Sequence, residues 1–166
     1  YLAAEALGAF PGAPAAVAWV SRCQTEDGGF FFTPAQEANK AGPGKAYGSA
    51  TCDGLRALRR LGVGRDDARV RRGLAWLRAR AAYAENPGFE GEARHWERGI
   101  YYYYLAALAE VYQDLGGPDG WRDRIADELI GKQRGDGSWS NAQPDMKEDD
   151  PLIAAGFSIE ALARCR

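Results

Sequence analysis

Gln133-Arg134-Gly135-Asp136-Gly137-Ser138-Trp139 separates two stretches of different character. Before it, residues 121 to 132 set Ile125, Leu129 and Ile130 on one side of a helical period, against Arg122, Asp123, Arg124, Asp127 and Glu128. After it, residues 150 to 164 carry Leu152, Ile153, Phe157, Ile159 and Leu162. The same pattern, Gln-x-x-x-Gly-x-aromatic with a central Asp-Gly, returns early as Gln24-Thr25-Glu26-Asp27-Gly28-Gly29-Phe30. Two copies of a loop motif in equivalent surroundings mark an internal repeat, and a repeat decides architecture before composition does.

Reading outward from the motif, apolar spacing predicts further helices over 1–10, 14–23, 48–61, 69–83 and 97–115. Pro11-Gly12, Gly62 and Gly116-Gly117-Pro118 end three of them, and one of the aspartates in Arg65-Asp66-Asp67 caps the start of another. The helices expected over 14–23, 69–83 and 121–132 are one-sided. Those over 1–10, 48–61, 97–115 and 150–164 are more apolar, and the Tyr101 to Tyr104 run makes residues 99 to 109 apolar or aromatic all round. This alternation fits a stack of hairpins with exposed helices outside and enclosed ones inside. Asn86 to Gly91 falls where a third motif is due and reads as a degenerate copy. The long loop 24–47 holds Phe30, Phe31 and Phe32 and is expected to cover something. No stretch alternates with enough β-branched residues to be a strand, so the expected class is all-α.

The chain of 166 residues, 46% hydrophobic and 27% charged, is long enough for a proper core. A net charge of −2 excludes the basic balance expected of a general nucleic-acid binder. Cys23, Cys52 and Cys165 are odd in number and lack C-x-x-C spacing, which argues against a disulfide framework. No apolar run approaches the ~20 residues of a membrane-spanning helix. The start at Tyr1, inside an apolar pattern, reads as a piece of a longer protein.

Gln133-x-x-x-Gly137-x-Trp139, and Gln24-x-x-x-Gly28-x-Phe30 with Phe in place of Trp, resemble the QW repeats of squalene-hopene and oxidosqualene cyclases. Across nearly its whole length the chain resembles the prenyltransferase and squalene-cyclase repeat superfamily. The resemblance implies an α/α toroid, a barrel of parallel inner helices ringed by outer ones. About three hairpins would form an arc of it, with the rest of the ring in a parent chain. It also implies an apolar cavity that takes an isoprenoid or another apolar small molecule. Apart from the resemblance, a Gln at the end of an outer helix suits the unpaired backbone groups at a neighbouring helix start. The Gly then permits a turn and the aromatic ring packs over the Gln. Gln24, Gly28, Phe30, Gln133, Gly137 and Trp139 are therefore expected to be structural clamps.

The resemblance also directs attention to acids. Squalene cyclases protonate their substrate with an aspartic acid in a D-x-D-D-T-A motif, chemistry that needs a protonated carboxyl in a dry pocket. The nearest match is Lys147-Glu148-Asp149-Asp150-Pro151-Leu152, with Lys for the first Asp and Pro-Leu for Thr-Ala. Asp149 and Asp150 are the candidate acids there, set against a plainer role in which Asp150 caps a helix that opens with Pro151. Asp53 is a third candidate, because it falls early in an enclosed helix, where an unpaired carboxylate is costly. The superfamily's zinc-binding members use Asp, Cys and His. Here Cys52-Asp53 stands in the reverse order and His95 is the one histidine, so neither zinc nor any other cofactor is expected. The single histidine also leaves no nucleophile paired with a histidine base. Gly42-Pro43-Gly44-Lys45 fails the phosphate-loop spacing and reads as a turn. Four successive tyrosines on a helix point four ways. At most two, taken as Tyr101 and Tyr104, would line a substrate cavity, and the rest, with Trp96, are aromatic core. The functional expectation is a segment of a toroid that cyclises isoprenoids. The alternatives are a non-catalytic toroid binding a lipid or protein in its concave face, and a carbohydrate-active toroid with Asp53 opposed to Glu97 or Asp149.

Overall fold

A computed structural model describes residues 12–166, so the helix expected over 1–10 lies outside the described residues. Seven α-helices follow: α1 (Ala13–Ser21), α2 (Gly48–Arg60), α3 (Ala68–Ala79), α4 (His95–Gly99), α5 (Tyr101–Leu115), α6 (Trp121–Gly131) and α7 (Pro151–Arg164). Short 3-10 turns occupy Gln36–Ala38, Gly91–Arg94 and Pro144–Met146. The described residues contain no strand, only a lone antiparallel bridge between Gln24 and Phe30, and the class is all-α. The chain divides into two compact units, one ending at Arg80 and the other spanning Ala81–Arg166.

In the first unit, α2 is the enclosed helix. Thr51, Cys52, Leu55 and Leu58 are fully buried on it, and α1 lays Ala13, Ala16, Val17 and Val20 against Ala57 and Leu61. Gly62, at φ +84°, ends α2 in a backbone conformation that suits glycine. Asp67 caps α3: its Oδ1 accepts from the Arg69 amide at 2.9 Å, and both carboxylate oxygens accept from the Arg69 guanidinium. Those bonds hold its carboxyl at about 2. The Phe30 ring fills the seam between α2 and α3. A Cβ on Gly54 would collide with it, and one on Gly73 would stand 2.8 Å from Leu55 Cδ2 and 3.2 Å from Phe30 Cε2.

In the second unit, α5 is the centre, with Tyr104, Leu105, Leu108, Ala109 and Tyr112 buried. α7 packs along it and α6 touches both. Tyr103 meets Phe157 edge-on at 5.3 Å, and Tyr112 meets Trp121 at 5.7 Å. The single helix expected over 97–115 is in fact two. The chain breaks at Ile100 (φ −128°, ψ 49°), and α5 starts afresh at Tyr101. The amides that this fresh start exposes are met from far along the sequence. Glu148 is wholly buried and its carboxylate accepts from the amides of Tyr101 (2.9 Å), Tyr102 (3.0 Å) and Tyr103 (2.9 Å). Three of the N–H groups that a helix start leaves unpaired are thus satisfied by one side chain. Asn141 Nδ2 adds a fourth bond at 2.9 Å. Burial pushes the Glu148 carboxyl above the usual carboxylate range, against the downward pull of these donors.

The last helix also departs from expectation. α7 was expected to be enclosed, yet its buried residues are Ala154, Ser158 and Ala161, while Leu152 is 82% and Ile159 60% exposed. Within the unit, α5 and α6 cover one side of it and leave the other apolar side bare.

Candidate functional site

The two motif loops share one hydrogen-bond scheme. Gln24 Nε2 donates to Gly28 O and Gln133 Nε2 to Gly137 O, each at 2.9 Å. Thr25 N donates to Gly29 O (2.8 Å) as Arg134 N does to Ser138 O (2.9 Å), and Gly28 N to Thr25 O as Gly137 N does to Arg134 O. Gly28 and Gly137 hold φ of +98° and +85°, where a side chain is strained. The glutamines work in the opposite sense to the one expected. Gln24 donates a second bond to the Arg69 carbonyl at 2.8 Å rather than accepting from helix-start amides. At α3 the cap site is already occupied, since Asp67 serves the Arg69 amide. The aromatic members are anchored differently from each other. Phe30 sits against Gly54 and Gly73, whereas buried Trp139 donates from its indole nitrogen to Leu129 O at 2.7 Å.

The first loop carries the candidate site, a cleft of about 450 Å³ lined by Trp19, Val20, Cys23, Phe30, Phe31, Phe32, Thr33, Ala50, Asp53, Gly54 and Ala57. α1 supplies one wall, α2 another and the phenylalanine run the third. The run is fixed from behind. Phe30 N donates to Thr51 Oγ1 (3.0 Å), and Tyr47 N donates to Phe30 O (3.2 Å). Phe32 N donates to Asn39 Oδ1 (3.1 Å), and buried Asn39 donates in turn to the carbonyls of Gly42 and Lys45. Gly42 to Lys45 is accordingly a turn in the loop's own brace. Phe30 and Phe31 are buried, but Phe32 (55% exposed) and Trp19 (45%) flank the cleft with open aromatic surface. Lys40 Nζ stands 4.9 Å over the Phe32 ring. Burial pushes the Cys23 thiol up to about 11, so at neutral pH it is an inert lining group.

Asp53 is the one ionisable oxygen acid in the cleft wall, and Arg56 Nη1 lies 3.0 Å from its Oδ1. A guanidinium is the partner of a carboxylate rather than of a carboxylic acid. Asp150 accepts from Leu152 N at 2.9 Å as the exposed N-cap of α7, and Asp149 is exposed, its carbonyl accepting from Ser140 Oγ. Asp53 belongs to the first unit and both Asp149 and Asp150 to the second.

The second unit has a polar cavity of about 540 Å³, whose lining includes Tyr101, Tyr102, Arg98, Lys132, Ser140 and Asn141. Tyr101 donates to Glu128 Oε2 at 3.0 Å. Burial, then the Glu128 charge, holds its hydroxyl well above the ordinary phenol range. Tyr104 is core, with its hydroxyl donating to Ala82 O at 2.9 Å. His95 is exposed, and its Nδ1 lies 2.8 Å from Glu92 O. No group of three His, Cys, Asp or Glu among the described residues could hold a metal ion, and no described helix is long and apolar enough to cross a membrane.

Sequence reasoning missed Trp19 as a cleft wall, Asn39 as the brace and Glu148 as the cap of α5. The run of three phenylalanines in a long loop was the available signal for the cleft. No protein-family model, curated protein or solved structure matches this chain.

Proposed function

We propose that this chain is a segment of a squalene-cyclase-like α/α repeat protein, and that its phenylalanine cleft binds a stretch of an apolar, isoprenoid-type molecule. The observation that carries the reading is the cleft itself: aromatic and aliphatic side chains form its walls around a single carboxylate. Its volume lies within the ~300–1,000 Å³ range of small-molecule sites. Apolar walls of this kind favour a ligand that gains by leaving water. The role is binding. Asp149 and Asp150 are exposed at a helix start, and Asp53 is paired with Arg56.

A second reading, acid-initiated cyclisation, has Asp53 beside aromatic faces in its favour, since such faces stabilise cations. One experiment separates the two. The protein is incubated with squalene and with a linear polyprenyl diphosphate, and bound and free organic fractions are analysed by chromatography and mass spectrometry. Retention of unchanged squalene, lost in Phe32→Ala and Trp19→Ala, is the expected result. A new isomer of squalene mass that disappears in Asp53→Asn would replace binding by cyclisation. Diphosphate loss would point to prenyl transfer. Absence of both retention and turnover would overturn the isoprenoid reading.

A further inference from the structure

The two motif loops are built alike but occupied differently. Against the first lies α3, held by four bonds. Gln24 donates to Arg69 O (2.8 Å), Arg72 to Thr25 O (2.9 Å), and Trp76 Nε1 and Arg80 both to Asp27 Oδ2 (2.9 and 3.0 Å). The α3 backbone comes so close that a Cβ on Gly28 would be 2.6 Å from Arg72 O. Arg72, Trp76 and Arg80 recur every four residues, which puts their donors on one helix face.

The second loop presents the same groups uncovered. Gln133 is exposed and spends one bond on Gly137 O. Asp136, the counterpart of Asp27, is exposed, and its Oδ1 takes both Ser138 donors while Oδ2 has no hydrogen bond among the described residues. Around Gly137 there is open space where Gly28 meets a helix backbone: the nearest atom to a Cβ there is Gln133 Nε2 at 4.0 Å. Beside this loop in sequence, α7 leaves Leu152 and Ile159 bare.

We propose that the Gln133–Trp139 loop and the bare side of α7 form the docking surface for the helix of a further repeat unit, a basic amphipathic helix of the α3 type. It presents a carbonyl in its first turn to Gln133 and a face of Arg-x-x-x-Trp-x-x-x-Arg pattern to Asp136. The charge match is the one made by Asp27 with Arg80, and the inference rests on repeat geometry alone, independently of what the cleft binds.

The test supplies that helix. A second copy of residues 61–83 is appended after Arg166, so that the connection between α2 and α3 is reproduced beyond α7. Amide exchange is then followed by mass spectrometry in the extended and the unextended chain. Exchange over 133–139 and 151–160 slows by about tenfold or more in the extended chain. That protection is lost when the copies of Arg72, Trp76 and Arg80 are all changed to Ala, changes that lie outside the parent fold and cannot unfold it. Unchanged exchange in the extended chain, or protection that survives the triple change, overturns the proposal. Self-association of the unextended chain that protects the same residues would also overturn it, by making a second copy the occupant.

Discussion

Glu148 offers the sharpest test of how the second unit is held together. Its replacement by Ala removes the acceptor of the Tyr101, Tyr102 and Tyr103 amides, all within 3.0 Å of it, and of Asn141 Nδ2. A buried donor left without a partner costs about 1–3 kcal/mol. With partial rescue by entering water, three such amides amount to roughly 3–5 kcal/mol. Against a total stability of about 5–15 kcal/mol this is a large fraction, and for a chain of this size it lowers the thermal midpoint by roughly 10 °C. Glu148→Gln keeps one acceptor oxygen but sets an NH2 group where the other accepts a backbone amide, leaving that buried donor unpaired at about 1–3 kcal/mol, so it falls between parent and Ala. Asp150→Ala, which removes an exposed N-cap, costs about 1 kcal/mol. The assay is urea unfolding followed by circular dichroism, with amide exchange at Tyr101 to Tyr103 as the local readout. pH adds a signed check. Burial raises the Glu148 carboxyl above its unfolded value, so the folded state holds the proton to higher pH. Its contribution therefore declines as pH rises from the ordinary carboxylate range through the raised value, and the gap to Glu148→Gln narrows. A Glu148→Ala protein within about 1 kcal/mol of the parent would refute the capping argument.

Three further outcomes are expected. Gly28→Ala costs about 3 kcal/mol and Gly137→Ala about 1–2 in denaturant titrations, because both are strained at positive φ but Gly28 alone faces Arg72 O. Asp67→Asn is less stable than the parent at neutral pH. The folded Asp67 carboxyl sits at about 2, below its unfolded value, so the difference disappears as pH falls from ~4 towards 2 in a pH series of thermal melts. Trp139→Phe loses the bond to Leu129 O and lowers stability by about 1–2 kcal/mol, with faster amide exchange at the end of α6 as the local sign.

Local chemistry was readable wherever one residue type has one use. The Asp67 and Asp150 caps, the stop at Gly62 and the turn glycines Gly28 and Gly137 follow from backbone preferences that hold in any context. The shared loop motif was readable because its spacing is kept, and the two loops are bonded alike. What stayed hidden depends on partners distant in sequence. Glu148 reads as an acid beside its own helix, yet its four donors lie on Asn141 and on residues 45 to 47 positions upstream. The break at Ile100 had Gly99 as its one local sign, and a lone Gly is tolerated inside a helical pattern, so residues 97–115 read as continuous. The cleft was half legible. Phe30 to Phe32 announced it, but Trp19 sits in an Ala-rich helix whose sequence does not say which side stays open. Apolar composition misjudged α7, because an apolar helix is enclosed only where neighbours exist to cover it.

The capping of α5 by Glu148 also has a consequence in time. The carboxylate follows the Tyr101 amide by 47 residues in the chain. At a synthesis rate of ~5–20 residues per second, the ribosome takes roughly 2–9 s to pass from one to the other. During that interval the nascent segment after Ile100 is present without its acceptor, and the first turn of the central helix depends on water. Completion of that turn belongs to the end of translation of this unit rather than to its beginning, and an arrest before residue 148 leaves the aromatic tyrosine run in the hands of whatever else binds exposed apolar chain.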